Sequence, residues 1–152
     1  MNSQDKPFPL LFTHKIQPMK TTKFLFLSLL TLGIFFWPAC SKSNNSLANF
    51  QPEIFNTTDN FQLQATKVQN VSTTLYYDWT NSGSIANIDK SGAVSSGTAT
   101  ITIYDANSTQ VYSGDLKLTG SEQSAAGVAG TWKIKLVLTG TAGDLNFRVQ
   151  KG

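Results

Sequence analysis

A chain of 152 residues has room for one domain of ordinary size with flanking segments. Its charged fraction is 14%, against about 25% in an average globular protein. Thr, Ser, Asn and Gly fill the difference, and that mixture favours strands and turns over helices. Of twelve basic and nine acidic residues, Lys6, Lys15, Lys20, Lys23 and Asp5 precede Cys40, leaving eight of each sign after it. The formal charge of +3 therefore belongs to the N-terminal region, and no basic face for nucleic acid is expected. Cys40 and His14 are the single cysteine and histidine. Internal disulfides, CxxC redox chemistry and cysteine-rich zinc sites are excluded, and beyond Cys40 so is any imidazole-based catalysis.

Residues 1–18, with Pro7, Pro9 and Pro18, show no useful period. They precede a segment with its own methionine, so translation is expected to begin at Met19. From there the chain reads as an export signal over residues 19–39. Lys20 and Lys23 form a basic start, Phe24 to Trp37 a nearly continuous apolar run, and Pro38-Ala39 leads to Cys40. The run covers 14 residues, short of the roughly 20 that a spanning helix needs, so a permanent span is the weaker reading.

These residues resemble the signal peptides of bacterial lipoproteins, in which a small residue precedes a cysteine. Ala39-Cys40 matches those two positions, while Trp37 and Pro38 stand where the family usually has aliphatic or small residues. The resemblance implies that the Cys40 thiol receives diacylglycerol and that cleavage makes Cys40 the new N-terminus. Membrane attachment would then run through a lipid anchor. Ser41 after the cysteine resembles lipoproteins forwarded to the outer membrane. The alternative is a conventional signal with an incidental cysteine, but Trp37 suits that cleavage less well.

Residues 40–60 open with Ser41-Lys-Ser-Asn-Asn-Ser46, too polar to bury enough surface for order. A flexible tether of this length would span about 25 Å. Phe50, Ile54 and Phe55 offer another outcome, docking as a first edge strand. From Phe61 to Gly152 the apolar period is two. Alternating runs occur at Phe61/Leu63/Ala65, Leu75/Tyr77/Trp79, Ala99/Ile101/Ile103, Leu116/Leu118, Trp132/Ile134/Leu136/Leu138 and Leu145/Phe147/Val149. Turn residues are expected at 81–83, 91–92, 105–108, 120, 127–130 and 140–143, and longer loops at 95–98 and 120–130. The spacing predicts an all-β domain, a single antiparallel β-sandwich over residues 61–152. Its rhythm, with Tyr77-Asp-Trp-Thr-Asn-Ser-Gly83 and Gly130-Thr-Trp-Lys-Ile-Lys-Leu, resembles immunoglobulin-like or fibronectin-type domains of bacterial surface lipoproteins. A shared fold by itself implies no activity.

Candidate chemistry is sparse. Asp78, Asp89, Asp105, Asp115 and Asp144 could supply a carboxylate pair for glycoside hydrolysis, but aspartates beside turns more often cap their own backbone. A serine–lysine mechanism needs a buried lysine, whereas Lys133 and Lys135 take the outward phase of a strand, where lysine stays solvated and discourages edge pairing. No calcium loop of the Asp-x-Asp-x-Asp-Gly kind is present, so neither a metal nor a cofactor is expected. Asn56, Asn70 and Asn107 begin Asn-x-Ser/Thr triplets, which in a bacterial chain reflect composition alone. Tyr76, Tyr104 and Tyr112 fall on or beside the outward phase of their strands. They could stack on a glycan or anchor a protein partner, or be half-buried strand tyrosines. The expectation is a membrane-anchored, non-enzymatic binding or structural module. A carbohydrate-binding module is the alternative, and a small hydrolase a third reading.

Overall fold

A computed structural model describes residues 45–152. The readings placed on residues 1–44, among them the signal and Cys40, lie outside the described residues. Within them the chain is all-β and antiparallel, as its period of two predicts, with no α-helix. A 3-10 turn, Leu47–Phe50, precedes seven strands: β1 (Glu53–Thr57), β2 (Asn60–Asn81), β3 (Ala86–Lys90), β4 (Ala93–Tyr104), β5 (Gln110–Asp115), β6 (Gly120–Gln123) and β7 (Gly130–Lys151). They form one hydrogen-bonded sheet, β1-β2-β7-β3-β6, with β4 on β7 and β5 on β4.

Two long strands organise this sheet. β2 and β7 have 22 residues each and pair along their length, through register shifts between Ala65 and Val68, Val68 and Val71, and Val71 and Thr73. Such bulges bend a strand and raise its twist. Here Lys67 (φ 54°), Asn70 (φ 50°), Gly140 (φ 55°) and Gly143 (φ 116°) all sit in the left-handed region. The stretch 140–143, expected as a turn, is thus a bend inside β7: its glycines deflect the strand without reversing it. Segment 95–98, expected as a loop, belongs to β4, where Gly97 (φ 71°) accompanies shifts between Val94 and Thr98.

The bends bring the ends of each long strand back together. The Asp59 amide donates to Thr80 O at 2.8 Å, and the Lys151 amide donates to Asp59 O at 3.1 Å. One end of the domain therefore carries the bends (the bend end), and the other gathers the strand termini (the open end). Apolar residues from both halves of β2 and β7 share one core, a layering compatible with a sandwich built from a single sheet. Phe61 lies 5.2 Å from Tyr77 and 5.9 Å from Phe147, ring to ring, and Trp79 meets Trp132 edge-on at 5.8 Å. Aromatic pairs prefer such offset and edge-on geometries.

Three local outcomes settle or depart from the sequence pattern. Residues 45–60, read as a tether or as a first edge strand, take the second form: Leu47 is buried, and β1 pairs with β2 at the sheet edge from Glu53↔Gln64 to Thr57↔Asn60. Of the three apolar residues in that stretch, Phe50 packs against the core while Ile54 and Phe55 stay exposed. Leu116–Leu118 is a turn, because Asp115 Oδ1 accepts the Lys117 amide at 2.9 Å and its carbonyl accepts the Leu118 amide. Leu116 enters the core and Leu118 points into solvent. Residues 120–123, placed in a loop by their Gly and Ser content, pair with β3 as the edge strand β6.

Candidate functional site

The outer face of β2, β7 and β4 brings two of the three candidate tyrosines together. Tyr76 pairs with Lys135, which pairs with Thr102. The next ladder row runs Asp78, Lys133, Tyr104, Gln110. Side chains two residues apart share a face, so both tyrosines flank the two lysines of central β7. Their strands lie about 10 Å apart across that face. With Ser108 they line an open groove of about 270 Å³. Tyr76 is 58% exposed.

Charge within the groove is uneven. Lys133 Nζ pairs with Asp78 Oδ1 at 2.6 Å, while Lys135 has no ion pair among the described residues. The groove therefore offers an uncompensated cation between two phenol rings. Lys133 and Lys135 do take the outward phase, as their spacing predicts. Because β7 is hydrogen-bonded on both sides, they do not guard a sheet edge.

Tyr112 lies elsewhere, which corrects its placement among outward tyrosines. The β4–β5 register runs from Ile103↔Tyr112 to Tyr104↔Gln110, leaving Val111 as an extra residue. That bulge turns Val111 and Tyr112 both inward. The Tyr112 hydroxyl donates to Glu122 Oε2 at 2.8 Å, and Glu122 Oε1 pairs with Lys90 Nζ at 2.6 Å.

Lys90 is the buried lysine that the sequence reading did not single out; its side chain is 1% exposed. Burial disfavours its charge, but the bonds to Glu122 and Tyr112 prevail and raise its pKa. Hydrogen bonds from Lys90 first and then from Tyr112 lower the Glu122 carboxyl. Burial, reinforced by Glu122, raises the Tyr112 phenol. The Lys90–Glu122 pair ties β3 to β6. The phase of Lys90 was visible, since Ala86, Ile88 and Lys90 alternate on one face of β3.

Each candidate aspartate is engaged. Asp105 accepts the Asn107, Thr109 and Val128 amides at 3.0, 2.8 and 2.9 Å, and these bonds, Val128 foremost, lower its pKa. Asp89 accepts from Ser121 and from Arg148 Nη2, which lower its pKa in that order. Asp144 Oδ1 accepts the Lys67 amide at 2.8 Å. Among the described residues no three His, Cys, Asp or Glu side chains gather to hold a metal, and no helix is long and apolar enough to cross a membrane.

The fold and groove define an all-β domain with a tyrosine–lysine surface. No protein-family model matches the chain, and a search of curated proteins returns no match.

Proposed function

We propose that the chain is an exported lipoprotein of the bacterial cell envelope, anchored through Cys40, whose domain binds a partner without catalysis. The observation that carries the binding reading is the groove, where Tyr76 and Tyr104 flank Lys135, which has no ion pair among the described residues, on the outer sheet face. A ligand with an apolar face and an acidic group matches it: the rings supply stacking area and Lys135 the charge. The aspartates support a non-catalytic role, because each caps backbone amides or balances a cation. Export and anchoring rest on the run from Met19 to Cys40.

A glycan is the second reading, favoured by the exposure of the Tyr76 ring. Screening acidic and neutral glycans against the mature chain separates the two. The glycan reading expects binding that Tyr76→Ala weakens by about 1–3 kcal/mol, the scale of a buried aromatic contact. Binding unchanged by Tyr76→Ala and Tyr104→Ala would remove the groove from the account.

A further inference from the structure

The place of Asn45 in the fold constrains how the domain meets a lipid surface. Asn45 is fixed at the bend end: its amide donates to Asn70 O at 3.2 Å, its side chain donates to Gln69 O at 2.7 Å, and it bridges Val71 in parallel. Ser46 caps the following 3-10 turn, and Leu47 is buried in the core. The first described residues thus sit at one end of the domain, locked to the bulges of β2.

Cys40 lies five residues upstream, so at no more than about 3.6 Å per residue an acylated Cys40 stands within about 18 Å of Asn45. Along β2, Val71 and Asn81 are ten residues apart, which places the open end roughly 30 Å beyond the bend. A leash of 18 Å is shorter than that separation. The bend end stays close to the anchor whatever path the leash takes.

The register sets what else the bend end carries. Ala93↔Asp144 and Phe147↔Lys90 put the β3–β4 turn there. Gly120↔Lys90 and the Leu116 amide on Ala99 O put the β5–β6 turn beside it. That turn presents Leu118, 64% exposed and the most exposed large apolar side chain described, next to the exposed Lys117. Lys67 is also exposed at the bend. An apolar tip with Lys117 beside it and Lys67 at the same end suits the polar–apolar boundary of a bilayer, where lysine stems lie along apolar matter and the ammonium reaches the headgroups.

We infer that the bend end of the folded sheet, with Lys67, Lys117 and Leu118, docks on the lipid headgroup surface, directing the open end away from the membrane. The inference rests on the anchored reading of Cys40. In this orientation the Tyr76–Tyr104 groove stands on the flank of the domain, clear of the bilayer.

The test uses the full acylated chain in phosphatidylcholine–phosphatidylglycerol vesicles with brominated acyl chains. A fluorophore is attached to Leu118→Cys at the bend end or Thr58→Cys at the open end; acylation has consumed the native thiol. Quenching at position 118 is expected to exceed that at 58 by about threefold or more, since only an interfacial group approaches the chains. Lys117→Cys and Ser84→Cys, also exposed, repeat the comparison should either first variant misfold. Equal quenching at both ends of an acylated protein overturns the orientation alone. A Cys40 peptide without acyl mass overturns the orientation together with the anchored reading.

Discussion

The two ends of the domain are held by different chemistry. At the bend end left-handed backbone conformations are combined with a few side-chain bonds, such as that from the Lys67 amide to Asp144 Oδ1. Left-handed Lys67, Asn70, Gly97, Gly140 and Gly143 let three strands turn together, and the Asn45 and Ser91 amides bond to carbonyls of Asn70 and Asn146. At the open end side chains close the gaps. Asp59 accepts from the Ser82 amide and hydroxyl, both at 2.7 Å, Asp105 gathers three amides, and Trp132 Nε1 donates to Val128 O at 2.7 Å. A continuous strand that must bend depends on residues that tolerate positive φ, and here Asp144 Oδ1 and Ser72 Oγ also accept the Lys67 and Gly140 amides. Loops between strand termini are free to use carboxylates.

The largest expected difference is between two glycines. A Cβ on Gly143 would collide with Ala93 O and lie 2.7 Å from Ser95 N, with φ at 116°. Gly143→Ala should destabilise the domain by about 2–5 kcal/mol, combining backbone strain with overpacking. A Cβ on Gly83, at the open end, meets mainly the flexible Lys151 side chain at 2.8 Å. Gly83→Ala should cost under about 1 kcal/mol. Denaturant midpoints of the two variants check the contrast, and equal losses would show that the bend has slack.

A smaller difference separates the paired tryptophans. Trp132 Nε1 is bonded to Val128 O, whereas Trp79 Nε1 is buried with no partner among the described residues. Both rings lose similar volume on conversion to phenylalanine. Trp132→Phe should therefore cost about 1 kcal/mol more than Trp79→Phe, the worth of one hydrogen bond. Thermal melts of the two variants measure it. Reversal of that order would mean that the loop at Val128 contributes little.

The gentlest contrast is in acid. Asp59 and Asp105 have lowered pKa values, through bonds from Ser82 and from Val128 respectively. A depressed carboxylate adds stability that is complete above its unfolded value, near 4. That stability drains as pH falls through the folded value. Amide exchange should therefore quicken below about pH 4 at Asn107, Thr109 and Val128. The Asn45 and Ser91 amides, bonded to carbonyls, should not respond over the same range. Uniform quickening would indicate global acid unfolding in place of local opening.

Much of the core was legible in the sequence. Phe61, Leu63, Ala65, Ala99, Ile101, Ile103, Leu145, Phe147 and Val149 are all buried as their alternation requires, because burying one face of a pleated strand leaves period two behind. The bends were not legible. Gly140 and Gly143 carry the same composition whether a strand reverses or deflects, and only pairing with β2 decides between them. Lys67 and Asn70 gave no hint of positive φ. The groove was half legible: outward phase marked Tyr76, Lys133 and Lys135, but a bulge in β5 carried Tyr112 inward. The Lys90–Glu122–Tyr112 cluster joins residues from three strands, and no local pattern reports such a meeting.

The anchored reading gives the domain its address and its orientation, and acylation at Cys40 tests it most directly. Cells expressing the full chain, fed an alkyne palmitate analogue, should yield labelled protein in the membrane fraction, and Cys40→Ala should lose both label and membrane retention. An unlabelled wild-type chain, or a Cys40→Ala variant that stays equally membrane-bound, would contradict the account.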